Sequence, residues 1–115
     1  MSKAKTRTYP KMTEKQLQKA VIDLAHLRGW KIAHFRTAMN ADGSYVTPVA
    51  ADGKGWPDLV LVRDQRLLFV ELKSDGGDLR REQHEWLAAL RGAHPSVWVW
   101  RPDDWRRGLI ASVLK

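Results

Sequence analysis

The sequence predicts an α/β domain: a small mixed sheet flanked by helices, in the order α-β-β-β-α-β, with a short helix after it. Three observations carry that expectation. Apolar residues recur at helical spacing over residues 13–28 and again over 79–91. Two unbroken apolar runs, Leu59-Val60-Leu61-Val62 and Leu67-Leu68-Phe69-Val70-Glu71-Leu72, are separated by the turn residues Asp64-Gln65-Arg66, the pattern of a hairpin. A last run, Ser96-Val97-Trp98-Val99-Trp100, is β-branched and aromatic.

Residues 1–11 read as a flexible basic arm whose Lys3, Lys5, Arg7 and Lys11 can neutralise phosphates without fixed structure. Residues 12–115 then form one domain, the number that a chain of 115 residues suits. The first helix is expected from Thr13 to Arg28. Thr13 and Gln16 have the spacing of a capping box, and Met12 and Leu17 that of a hydrophobic staple. Leu17, Ala20, Val21, Leu24 and Leu27 make its apolar stripe, Glu14 and Gln18 share a face at the stripe's edge, and Gly29 supplies the stop. Trp30 to Phe35 predicts a first strand. Residues 36–55 are a long loop with a short β-like stretch at Tyr45-Val46-Thr47, and Arg36 and Lys54 make it mildly basic.

The two strands of the hairpin are continuous in apolar character, which predicts burial on both faces. Gly76-Gly77 breaks the chain after them. The second helix turns Leu79, Gln83, Trp86, Leu87 and Leu90 inward and ends at Gly92. Pro102 stops the final strand, and Asp103 is placed to cap a last helix running into residues 109–114. Trp98 and Trp100 share a strand face and belong to the core, which leaves Trp56 and Trp105 as the tryptophans for partner contact.

Composition narrows the function. Hydrophobic residues make up 43%, a globular proportion, and with no cysteine there is neither a disulfide nor a thiolate metal site. The net charge of +7 favours a polyanionic partner, nucleic acid before an anionic membrane surface. No apolar run approaches the about 18 residues of a membrane span, and the basic N-terminus has no apolar stretch behind it, so a cytoplasmic protein is expected. The histidines at 26, 34, 84 and 94 show no paired metal spacing; only His34, after the first strand, is a candidate for chemistry.

The chemistry concentrates between Asp58 and Lys73. In an antiparallel hairpin the start of one strand lies beside the end of the next, so Asp58 and Glu71, thirteen residues apart around the turn, come close to opposite one another. Glu71 and Lys73 are two apart and share a face. A charge in an otherwise apolar strand needs a reason. Two hard carboxylates at one point suit Mg²⁺ or Mn²⁺, with the backbone carbonyl of Leu72 as a third ligand. Such a cation lowers the pKa of a bound water and offsets charge developing on a phosphate. Lys73 then orients or deprotonates the attacking water, or stabilises the added negative charge. Arg80 and Arg81, after the Gly-Gly break, are placed to clamp a phosphate.

At these residues the chain resembles the PD-(D/E)XK nuclease superfamily, with its restriction-endonuclease-like core, and within it the VRR-NUC family. The resemblance is carried by Glu14, by Gly55-Trp56-Pro57-Asp58 with Leu59 to Arg63, by Phe69-Val70-Glu71-Leu72-Lys73, by Gln83 with Trp86-Leu87, and by Val99-Trp100-Arg101-Pro102. The Val-Arg-Arg motif that names the family is not evident, and Leu79-Arg80-Arg81-Glu82 stands where a Ser-Pro helix start is often seen. The resemblance implies a metal-dependent nuclease with Asp58 and Glu71 as metal ligands and Lys73 as the catalytic lysine. Glu14 would be an accessory acid reaching a metal through water, and Gln83 would position Lys73 or the phosphate. It also implies in-line attack by water, leaving a 3′-hydroxyl and a 5′-phosphate. Short members of the family resemble homodimeric, often phage-borne endonucleases acting on branched DNA such as four-way (Holliday) junctions. A nickase, a flap or restriction-like nuclease, and a non-catalytic DNA-binding accessory are the alternatives.

Overall fold

The computed structural model describes residues 11–35, 38–39, 41–46 and 50–115. Lys3, Lys5, Arg7 and Arg36 lie outside them. Helix α1 (Glu14–Leu27) starts at the expected box: Thr13 Oγ1 accepts from Gln16 N at 3.0 Å, and Gln16 Oε1 accepts from Thr13 N at 2.9 Å. It ends in a Schellman turn. Gly29, at φ +82°, donates to His26 O, and Trp30 donates to Ala25 O.

The main sheet runs β1-β4-β5-β6. Strands β1 (Lys31–His34), β4 (Leu59–Arg63) and β5 (Arg66–Leu72) pair antiparallel, and β6 (Val97–Trp100) joins β5 in parallel. The expected hairpin is β4–β5, with Arg63 opposite Arg66 and Asp64 at φ +54° in the turn. Within the long loop β2 (Ala38–Met39) pairs with β3 (Tyr45–Val46), a small second ribbon of which only the later half was expected. Helix α2 (Arg81–Ala93) connects β5 to β6, and two short helices, α3 (Pro102–Arg106) and α4 (Leu109–Val113), complete the chain. Among the described residues no helix is long and apolar enough to cross a membrane.

The core lies on one face of the sheet. Leu59, Leu61, Leu68, Val70 and Leu72 meet Leu17, Val21 and Ala25 of α1, Trp100 of β6, and Ile110 and Leu114 at the C-terminal end. A second, thinner layer covers part of the opposite face. There Trp56 makes edge contacts with Phe69 at 5.7 Å and with Trp86 of α2 at 4.9 Å, while Leu87 and Val97 are buried outside the main cluster.

Several sequence expectations are corrected. The hairpin is not buried on both faces, since Val62 emerges toward the turn at 41% exposure. Leu27 is 83% exposed, and Ala25 takes its place in the stripe. At 3.6 residues per turn Leu27 stands roughly 120° around the helix from Val21. Gly92 does not end α2; the helix continues to Ala93 and stops at His94 (φ −146°, ψ 133°), which Pro95 forces out of helical conformation. The residue that closes the start of α3 is Asp104, whose Oδ2 accepts from Arg101 N at 2.8 Å, not Asp103. Trp56 and Trp105 are half-buried rather than presented to a partner: Trp56 sits in the aromatic layer and Trp105 packs against the core.

Candidate active site at the open end of the hairpin

The end of the hairpin away from its turn is where the polar residues gather. Gly55 sets the entry to β4. Its φ is +90°, and a Cβ there would sit 2.6 Å from the backbone of Glu82, so only glycine lets the chain pass the start of α2. Pro57 is buried, and Asp58 follows as the last residue before β4. Phe35 N donates to Asp58 O at 3.0 Å, which ties this point to the end of β1. Extending the Leu59–Val70 register by one residue places Asp58 opposite Glu71, as the sequence spacing suggested.

The Asp58 side chain is held by backbone: Leu72 N donates to its Oδ2 at 2.8 Å. Glu71 is 2% exposed and lies on the face of β5 that α2 covers. Gln83 of α2 donates from Nε2 to Glu71 Oε2 at 3.1 Å. Its other amide end, Oε1, accepts the N–H of Arg80 at 2.8 Å, so the backbone at the start of α2 fixes which end faces Glu71. Gln83 and Lys73 share no hydrogen bond among the described residues.

Burial pushes the Glu71 carboxyl up to about 9; the Asp58 charge and a hydrogen bond between the two carboxyls add to the rise, and Lys73 pulls against it. Glu14, at the start of α1, is also raised, first by desolvation and then by Asp58, with Lys73 and Arg80 opposing. Glu14, Asp58, Glu71 and Lys73 are thus within electrostatic reach of one another, and Arg80 is within reach of Glu14. A surface groove of ≈ 580 Å³ opens at Asp58 between α1 and β1, lined among others by Glu14, Lys15, Gln18, His34 and Leu72 but not by Glu71 or Lys73.

Among the described residues neither Asp58 nor Glu71 has a salt-bridge partner, and no three His, Asp or Glu side chains cluster as a metal cage. The site therefore offers a pair of carboxyl groups, Glu71 holding its proton near neutral pH, with no ion-pair partner among the described residues. Paired hard oxygens of that kind fit Mg²⁺ or Mn²⁺, which keep several waters and need few protein ligands.

The remaining basic positions divide by what they touch. Arg81 pairs with Glu85 at 3.4 Å and Lys54 with Glu82 at 3.5 Å, so neither is a free cation. Lys11 is exposed, and Arg80 is exposed beside the site. Lys15, which no sequence motif marked, lines the groove with Asp58; its position one residue past Glu14 in the first turn of α1 was the available signal. His34 lines the same groove.

The family model of the VRR-NUC domain matches residues 12–101. No curated protein and no solved structure matches the chain.

Proposed function

The chain belongs to the VRR-NUC family of nucleases, and we propose that it is a Mg²⁺- or Mn²⁺-dependent endonuclease hydrolysing phosphodiester bonds in branched DNA at the Asp58–Glu71 pair. The observation that carries this reading is Glu71, a buried carboxyl in an apolar strand, set against Asp58 with Lys73 alongside. A purely structural carboxyl in that position would be expected to have a cationic partner.

Asp58, Glu71 and the Leu72 carbonyl would hold the cation, with Glu14 reaching it through water. When bound, it polarises the phosphate and makes a water nucleophilic near neutral pH. The protein groups do the rest. The Leu72 amide keeps Asp58 aimed at the end of β5, and Gln83 keeps Glu71 in one orientation. Lys73 brings its amino group to the carboxylates, where the neutral amine would accept a proton from the attacking water, or the ammonium would offset charge on the phosphate in the transition state. Lys15, which lines the groove with Asp58, and Arg80 would meet the backbone beside the scissile bond, and Lys3, Lys5, Arg7 and Lys11 would add phosphate contacts. The products are a 3′-hydroxyl and a 5′-phosphate.

A homodimer is the form that matches a branched substrate, because a two-fold protein presents two equivalent sites to paired strands. The reaction belongs in the cytoplasm of a bacterial or phage-infected cell. The deciding experiment is a cleavage panel of four-way, flap and linear DNA with Mg²⁺, with Mn²⁺ and with EDTA, using wild type and Glu71→Gln. Metal-dependent cutting of the junction by wild type alone is expected. Preference for flap or linear DNA would move the substrate assignment, and binding without cutting under either metal would leave a DNA-binding accessory.

A further inference from the structure

We infer that Arg101 is a positioning residue for Lys73, acting through the turn at residues 74–77. The inference rests on Lys73 being part of the site proposed above.

The turn joins the two elements that carry the site, β5 with Glu71 and α2 with Gln83. It closes on itself through Gly77 N donating to Ser74 O at 3.2 Å. The Arg101 guanidinium sits over its carbonyls: Nη1 lies 2.6 Å from Ser74 O, 2.7 Å from Gly77 O and 3.4 Å from Asp75 O. One charged group thus gathers three acceptors that an exposed turn would otherwise leave to water.

Lys73 is bound to this arrangement from two sides. Its backbone N donates to Trp100 O at 3.0 Å, the residue before Arg101. Its side-chain stem runs along the turn, since a Cβ on Gly77 would lie 3.7 Å from Lys73 Cδ and only 2.7 Å from Ser74 Oγ. The turn is the floor under the lysine, and Arg101 sets the height of that floor. A second tether locks the same segment: Asp75 accepts from Asp103 N at 3.0 Å and from Arg106 Nη2 at 2.9 Å. Arg101 makes no ion pair with the carboxylates of the site, so its effect on chemistry passes through Lys73. A flexible ammonium loses effectiveness when its stem is free to swing, because a shift of about 1 Å at a reacting centre costs on the order of 10²-fold in rate.

The test reads Lys73 directly. Wild type, Arg101→Lys and Arg101→Ala are labelled with acetic anhydride, and the rate at each lysine is followed by mass spectrometry. Lys73 is expected to react several-fold faster in Arg101→Ala and less so in Arg101→Lys, with Lys15 and Lys54 unchanged. An unchanged Lys73 rate in a folded Arg101→Ala protein overturns the inference, and if that variant does not fold, the Arg101→Lys rate decides in the same way. The kinetic arm uses branched DNA. Arg101→Ala should lower kcat with KM little changed, Arg101→Lys should restore part of it, and Arg101→Ala should cost nothing further in a Lys73→Ala background. Losses that multiply would mean Arg101 acts independently of Lys73, against the inference. If wild type cuts no DNA while Lys73 labelling responds to Arg101, the nuclease reading fails and the positioning contact stands.

Discussion

Gln83 spans two structural units with one amide: its Oε1 takes the Arg80 N–H at 2.8 Å, and its Nε2 donates to Glu71 Oε2 at 3.1 Å. The first contact closes the start of α2; the second fixes a carboxyl on β5. A substitution there therefore acts on the site without removing any proposed ligand. Gln83→Ala leaves Glu71 without this donor and should lower cation affinity or kcat by about 10–100-fold, the usual effect of losing a ligand's supporting hydrogen bond. Gln83→Glu should do more harm at neutral pH, since it sets a further carboxyl against Glu71. Titration of activity against Mn²⁺ separates the two effects, and wild-type behaviour of Gln83→Ala would show that Glu71 does not need this support.

The raised Glu71 carboxyl predicts how metal-free protein responds to pH. Its folded value of about 9 lies above its ordinary 4.5, so the folded state holds the proton more tightly than the unfolded chain does. Stability then falls as pH rises wherever the unfolded chain has lost a proton that the folded protein keeps. In EDTA the melting temperature should therefore decline from about pH 4.5 towards pH 9, as the unfolded chain ionises first. Glu71→Gln carries no such proton and should show a flatter profile over the same window. Parallel melting curves for the two proteins would mean that Glu71 ionises in the folded state as an ordinary surface acid does.

The hairpin was legible because its signals agree: two continuous apolar runs joined by a short turn, and the turn length sets the register that brings Asp58 opposite Glu71. Glu14 was legible because the capping box at Thr13 fixes where α1 begins. Gln83 was placed on the correct face of its helix, but its contact with Glu71 depends on α2 starting at Arg81, two residues later than periodicity indicated. The hold of Arg101 on residues 74–77 was not legible at all. It joins side chain to backbone across 24 to 27 positions, and backbone carbonyls carry no sequence signature. The C-terminal helix was misread at Asp103 for a similar reason, since the choice between Asp103 and Asp104 turns on where the first helical residue falls.

Cation binding should release protons. Near pH 7 the Glu71 carboxyl keeps a proton that a divalent cation has to displace, because metal ligands bind deprotonated. Calorimetric titration of Mn²⁺ into the protein, repeated in buffers of different ionisation enthalpy, should report release of about one proton per cation at pH 7 and less as the pH approaches 9. Glu71→Gln should abolish the release along with most of the affinity. The same apparent enthalpy in every buffer would place the binding cation elsewhere on the protein.

The arginines of this basic chain are not equivalent, and DNA binding should sort them. Arg63 and Arg66 both lie over the Trp30 ring, at 4.7 and 4.8 Å, and their guanidinium groups donate to backbone carbonyls of the C-terminal end, Arg66 to Val113 O at 2.6 Å and Lys115 O at 3.1 Å. Trp30 Nε1 donates to Leu114 O at 3.0 Å, and Leu114 itself is fully buried. These residues fasten α4 to the core. Arg66→Ala should lower stability by about 1–2 kcal/mol, the scale of charge-assisted hydrogen bonds plus one cation–π contact, and leave the salt dependence of DNA binding unchanged. Arg80→Ala should do the opposite, sparing stability while reducing the slope of log K against log [salt] by about 1. Chemical denaturation paired with binding titrations at several salt concentrations reads both. A reduced slope for Arg66→Ala would show that this arginine also meets phosphate, and an unchanged slope for Arg80→Ala would remove it from the DNA path beside Asp58 and Glu71.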